Sequence, residues 1–401
     1  MRFSAIPLLT VPLLLACSDD TARDSSAVRR DSAGIAIVEQ MAPALEPVVF
    51  VVTPEPLLVL ESDELNPERV LHDIRTVVST GDGFAVANGG ASQLWFCDAR
   101  GNVLRVSGGP GEGPGEFSGM VDMHALPSDS LMVDARGRFH VVAPDGAYAR
   151  TFQLLAEGGQ PLSYSSIGVV GGHIIVQNMR GGEREQLRQD VSRVVLDVLR
   201  FDLDGRLIDT LATVPGWEAY TSPAGGMTIA NMPIPFGRSV WIAASPAGVL
   251  TASSYDNELR LYDANGEPTR IIRNVAPPPG AVTDQEVAAF KERMLEGRSG
   301  PMRDMFENTF ETMPAATTHP PFQAAHLGTD GTMWVVIRTV PHDGTDLPAI
   351  VYDSSGNRLG GALLPSSLEV KEISLDRVLG IWTDSLGVES VRAYGIERRS
   401  Q

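Results

Sequence analysis

Cysteine is almost absent from this chain: 401 residues contain two, Cys17 and Cys97, too few for a disulfide framework or a cysteine-based zinc site. Aromatic residues make up only 6%. Basic clusters are missing apart from the short pairs Arg29-Arg30 and Arg398-Arg399, and the formal net charge is −18. Such a surface repels a phosphate backbone, which argues against nucleic-acid binding. There is no Gly-x-Ser-x-Gly elbow and no His-Glu-x-x-His, the signatures of two large hydrolase classes. The glycine-rich stretch 108–115 lacks the Gly-Lys-Ser/Thr ending of a phosphate loop. Strand-like residues follow it, where a dinucleotide site needs a helix.

What is present begins at the N-terminus. Arg2 precedes an apolar run, residues 3–16, broken only by Ser4, Thr10 and two prolines. The run is too short to cross a bilayer as a helix and has the layout of an export signal. It closes on Leu14-Leu15-Ala16-Cys17, which resembles the lipobox of bacterial lipoproteins. The resemblance implies a signal peptide over 1–16, cleavage before Cys17, acylation of that cysteine, and a lipid-anchored protein of the bacterial cell envelope. More than one acyl chain is needed for a stable anchor, and this modification supplies them. The polar residues 17–33 then read as a flexible tether, and Cys97 as a small buried apolar residue.

From residue 34 to 397 the chain repeats itself. A short apolar strand runs into a tight turn five times: Asp98-Ala99-Arg100-Gly101, Pro144-Asp145-Gly146, Asp202-Leu203-Asp204-Gly205, Asp263-Ala264-Asn265-Gly266 and Asp353-Ser354-Ser355-Gly356. Aspartate and glycine suit such turns, because glycine tolerates positive φ and the aspartate side chain caps the turn locally. These aspartates lack the dense alternating acids of a calcium loop. Upstream of the turns lies a second recurring strand, found six times. The pattern predicts an all-β chain, a six-bladed β-propeller, whose last sheet is completed by residues 34–39 pairing beside 391–396. One excursion breaks the rhythm, residues 275–320. There Thr283 and Glu286 form a capping-box pattern, and Val287, Phe290, Met294 and Leu295 fall at helical spacing. A helical insertion is expected, either covering apolar surface or acting as a lid over a central pocket.

The segment Gly108-Gly109-Pro110-Gly111-Glu112-Gly113-Pro114-Gly115-Glu116-Phe117, followed by Leu131-Met132-Val133-Asp134 and Pro144-Asp145-Gly146, resembles the NHL repeat. It is similar in particular to six-bladed β-propeller lipoproteins of the bacterial envelope. The match covers residues 103–152. In that family the Gly/Pro segment connects one blade to the next and carries no chemistry. The local reading agrees, since closely spaced glycine and proline let a chain cross tightly between sheets.

Inner strands of a propeller line a central channel. The candidates are residues 70–78, 120–126, 162–169, 239–244, 322–327 and Leu368–Ile373. They carry or follow His72, Asp73, Arg75, Asp122, His124, Tyr164, Arg238, Gln323, His326, Lys371 and Glu372. Asp122 and His124 are two apart and share a strand face. With His326 reaching across the channel, the set could hold a divalent metal or act as a general base. The expectation is a monomeric, membrane-anchored module binding a protein or small ligand, with no catalysis and no cofactor. The alternative is a hydrolase resembling the metal-dependent lactonases and lyases built on six-bladed propellers. Those use Ca2+ held by carboxylates and an Asn on inner strands. The inner strands here are poor in Asn, which favours binding.

Overall fold

In the computed structural model the described residues are 27–41, 47–62, 70–81, 83–156, 158–160, 162–188, 190–222, 229–337 and 346–399. The export signal and Cys17 lie outside them. None of the described helices is long and apolar enough to cross a membrane.

The chain is almost entirely antiparallel strands laid down in sequence. A hairpin, β1 (Ala27–Ser32) and β2 (Ile35–Gln40), is followed by the long β3 (Val48–Leu60). Four-stranded meanders come next: β4 (Ile74–Thr80), β5 (Gly83–Asn88), β6 (Gln93–Asp98) and β7 (Val103–Gly108), then β8 (Met120–Ala125), β9 (Leu131–Ala135), β10 (Arg138–Val142) and β11 (Tyr148–Phe152). A third sheet has five strands, β12 (Ser165–Val170), β13 (His173–Arg188), β14 (Val191–Phe201), β15 (Leu207–Ser222) and β16 (Ile229–Pro233). The fourth unit holds β17 (Val240–Ser245), β18 (Gly248–Ser253), β19 (Glu258–Tyr262) and β20 (Pro268–Arg273). Two helices follow, α1 (Asp284–Leu295) and α2 (Gly300–Thr312). The last strands are β21 (Ala324–Leu327), β22 (Met333–Val336), β23 (Leu347–Tyr352), β24 (Arg358–Leu364), β25 (Leu368–Ile373), β26 (Arg377–Thr383) and β27 (Glu389–Arg398). Buried apolar side chains from neighbouring sheets interlock, as where Val77, Phe84 and Trp95 meet Leu379, Ile381 and Val391. The architecture is all-β and propeller-like.

The repeated turns form as the sequence implies. Asp98 Oδ1 accepts the N–H groups of Arg100 and Asn102 at 2.9 Å each. Asp202, Asp263 and Asp353 do the same for the residues two and four further on. The Gly/Pro segment is a connector between β7 and β8. Gly108 has φ +92°, and a Cβ there would lie 2.5 Å from the Phe117 ring, so only glycine lets that buried ring close the loop.

The ends of the chain pair differently from the sequence expectation. Residues 35–38 do not meet 391–396. Strand β2 instead runs parallel to β20 on the outside of the fourth unit, with Ala36 opposite Arg270 and Val38 opposite Ile272. The partner of β27 is β3, antiparallel, with Val391 opposite Leu60 and Arg398 opposite Phe50. The other edge of β3 lies parallel to β24, so that β21–β24 and β25–β27 merge into one eight-stranded sheet. The physical reason is length and reach: β3 has 13 residues against the six of β2, enough to follow β27 from Val391 to Arg398. Pro54 and Pro56 sit where the ladder slips, near Tyr394 and Ile396. There the Thr53 hydroxyl accepts the Gly395 N–H at 3.1 Å, repairing the ladder. The tether expected to residue 33 also ends early, because residues 27–32 are strand β1.

The insertion is helical, and its capping box is formed: the Thr283 side chain accepts from the Glu286 N–H, and Glu286 reaches back to Thr283. Phe290, Met294, Phe306 and Phe310 pack on Val191, Tyr220 and Ile234, at the far end of the long hairpin β13–β15. Ser165, the first residue of β12, pairs with Gln177, so the rest of β13 projects past the start of the inner strand. The helices rest on that projection. They do not lid the cavity described below, which takes its residues from the later halves of the inner strands.

Candidate functional site

The innermost strands β4, β8, β12, β17, β21 and β25 enclose a cavity of about 380 Å³. Close approach of two of them is set by Gly168, where a Cβ would lie 2.8 Å from the Ala244 Cβ. Apolar walls come from Val78, Ile167, Val169, Leu327 and Val370. Polar groups enter from Thr76, Ser79, Asp122, His124, Ser245, Lys371 and Glu372. This volume is that of a small-ligand pocket.

Strand alternation places Asp122 and His124 on one face of β8, while Met123 turns the other way into the core with Ala85 and Ala87. Asp122 Oδ1 accepts the Met123 N–H at 2.8 Å, and Oδ2 lies 3.6 Å from His124 Nε2. The same ring nitrogen is 3.0 Å from Ser166 Oγ on β12. Burial pulls the His124 pKa below its ordinary value, and the Asp122 charge only partly opposes this, so the ring is neutral at pH 7.

Directly across the β8–β9 ladder from Asp122 stands Asp134, with 3% of its surface exposed. Burial raises its pKa to about 6, and the Asp122 charge pushes the same way, against a hydrogen bond from the Gly137 N–H and one from Tyr164. The Tyr164 O–H points at Asp134 Oδ1 from 3.5 Å, and its ring stacks on Phe139 at 5.5 Å between centroids. Burial, then the neighbouring Asp134 charge, raises the Tyr164 pKa.

On the opposite wall Glu372 accepts both the N–H and the O–H of Ser79, at 2.8 and 2.5 Å, with Arg377 3.8 Å away. The Lys371 ammonium is drawn to the Arg75 carbonyl at 2.9 Å and to Glu369 Oε1 at 2.7 Å. Ser245 donates its O–H to the Gly328 carbonyl at 3.0 Å.

Among the residues singled out from sequence, Asp122, His124, Lys371 and Glu372 thus come to one cavity, with Tyr164 just behind its wall. The others do not line it. His72 is exposed, its ring packed over Gly90, where a Cβ would lie 2.1 Å away. Arg75 pairs with Asp73 at 2.6 Å on the exposed surface. Arg238 donates to the Tyr255 carbonyl at 3.4 Å, and Gln323 contributes a backbone N–H to Val336 at 2.9 Å. His326 does not reach across: its neighbour Leu327 faces the cavity instead. His326 has no hydrogen-bond partner among the described residues, and burial alone lowers its pKa to about 4. Sequence reasoning missed Asp134 and Ser166. An aspartate ending the apolar run 131–134 was the available signal for the first; the second comes from a neighbouring sheet and left none.

Ser166, His124 and Asp122 are the residue types of a nucleophilic triad, but not its geometry. Serine and aspartate both address Nε2, whereas a relay needs the carboxylate on Nδ1. Calcium does not fit either. It takes six to eight oxygen ligands; here one Asp122 oxygen and both Glu372 oxygens are already occupied by protein donors. Among the described residues no group of three or more His, Cys, Asp or Glu is placed to hold a metal.

No family model matches the chain, and no curated protein does. Among solved structures the chain is similar to a Bacteroides fragilis protein described as exported, at TM-score 0.50 and 10% identity over 91% of this chain and all of that one. It is similar also to a member of the DUF4221 family from Bacteroides vulgatus, at TM-score 0.51 and 9% identity over 88% of this chain and 99% of that one. At such identities the likeness concerns the fold.

Proposed function

We propose that this chain is a six-bladed β-propeller of NHL-like type, with the eight-stranded sheet counted as two blades, carried outside the cytoplasm and anchored through an acylated Cys17. Its cavity binds a ligand and leaves it unchanged. The observation that carries this reading is the cavity itself, about 380 Å³ and reached by all six inner strands, with polar walls already held in place by hydrogen bonds. Such a site is preorganised for binding, while the groups that hydrolysis would need are misoriented. Export is supported by the apolar run before Cys17 and by the designation of one fold neighbour as exported.

Two measurements test it. Ligand-observed NMR with a fragment library on the wild type and on Ala125→Trp, which puts an indole at a position lining the cavity, is expected to find binders that the variant loses. Fragments bound equally by both, with none lost, would remove the cavity from the proposal. Palmitate labelling in cells is expected to mark the wild type and not Cys17→Ser; equal labelling would remove the anchor.

A further inference from the structure

We propose that the cavity takes a small organic cation, a primary or secondary ammonium with a short apolar body, seated on the Asp122 carboxylate. This rests on the cavity being the ligand site.

Four groups around the cavity can carry charge, and three are satisfied. Lys371 is bonded to Glu369 and the Arg75 carbonyl. Both Glu372 oxygens are filled by Ser79, with Arg377 beyond. His124 is held neutral by burial, and Nε2 is bonded to Ser166. Asp122 is left. One of its oxygens caps the Met123 N–H; the other has no hydrogen-bond partner among the described residues, the His124 ring lying 3.6 Å away, beyond hydrogen-bond distance. Its side chain is 31% exposed, and the space it opens onto is the cavity. Behind it stands a second carboxyl, Asp134, buried at 3% exposure and directly opposite in the ladder. Among the described residues neither aspartate forms an ion pair with a lysine or arginine. Two neighbouring carboxyl groups, neither paired with a protein cation, make a local field that favours a positive guest.

The rest of the cavity says what kind of cation. A bare metal ion needs several oxygens converging, and the wall does not gather them. The remaining surface is aliphatic, from Val78, Ile167, Val169, Leu327 and Val370. An ammonium supplies an N–H donor for the open Asp122 oxygen, while its carbon body replaces water along the valines and isoleucine. Neutral His124 is compatible with this guest; an imidazolium would repel it.

The test is isothermal calorimetry on the full-length protein in detergent at pH 7.5, with butylamine, isoamylamine and phenethylamine as probes. Matched alcohols and matched carboxylates of the same carbon skeletons serve as controls. At least one amine is expected to bind ten-fold or more tightly than its alcohol, with no binding of its acid. Asp122→Asn, which keeps the acceptor for Met123, is expected to lose that preference ten-fold or more, and Asp122→Glu to retain it. A circular-dichroism melt confirms that each variant is folded. Alcohols or acids that bind as well as the amines, and are lost in Ala125→Trp, would overturn the cation proposal and leave the cavity as a ligand site. A cavity that binds none of the three series while other fragments bind there would likewise overturn it. If nothing binds there at all, the underlying reading falls with it.

Discussion

Asp134 keeps its proton to about pH 6, from an ordinary value of 3.8, while His326 loses its proton near pH 4, from 6.5. Between pH 4 and 6 the folded state therefore holds one proton more at Asp134 than the unfolded chain does, and one fewer at His326. Stability from Asp134 falls as pH rises through that window; stability at His326 falls as pH drops through it. Each slope is about 1.4 kcal/mol per pH unit, and they oppose. Wild-type chemical denaturation is expected to show little pH dependence from this pair. Asp134→Asn should unmask a rise in stability with pH between 4 and 6, and His326→Gln a fall. Parallel profiles in all three proteins would show that neither group titrates as described. Tyr164→Phe tests the neighbouring contact. It keeps the ring on Phe139 but removes a donor that stabilises the Asp134 carboxylate, so the Asp134 pKa should move further up, measured by carboxyl carbon NMR. No movement would mean that the O–H does not serve Asp134.

At the scale of elements, β3 is the strand that decides the architecture, and its weakest point is the slip around Pro54 and Pro56. Thr53→Val keeps the shape there and removes the acceptor for the half-buried Gly395 N–H. The expected cost is about 1–2 kcal/mol by denaturant titration; a neutral result would show that the N–H finds another partner. The same two prolines are why β3 was not legible in the sequence. They break the alternation that marks a strand, so the shorter Gly34-started run took its place as the closing partner. The inner strands were legible, because each is a β-branched or apolar run set between turn residues. The long β13 and β15 leave a weaker mark: charged Arg184 and Glu185 and the Pro215-Gly216 pair interrupt the apolar pattern, and the ladder with β14 and the packing of α1 and α2 on Tyr220 hold the chain extended there. At the site, the two-residue spacing exposed Asp122 and His124 as one face. Asp134 and Ser166 depend on which strands become neighbours, which no local pattern encodes.

For the molecule as a whole, the two N-terminal strand segments make unequal contributions, and deletion separates them. The hairpin β1–β2 adds to an outer edge, burying chiefly Ile37 and Val38 at 8% and 1% exposure. Without it β20 is still held by β19. Strand β3 buries Val49, Phe50, Leu58 and Leu60, all at 7% exposure or less. At about 1.5–3 kcal/mol per large apolar side chain, those four contribute on the order of 6–12 kcal/mol. That is comparable to the whole stability of a typical domain, about 5–15 kcal/mol. Removing β3 also strips β27 of its ladder and β24 of its parallel neighbour, leaving two edges open to other chains. A protein starting at residue 42 is therefore expected to melt cooperatively a few degrees below one starting at residue 27. A protein starting at residue 62 is expected to lose cooperative melting or aggregate, and a synthetic peptide of β3 to restore the transition when added in excess. A cooperative melt without β3 or the peptide would show that β27 is not held by that strand, and the arrangement of inner strands around the cavity would need another closure.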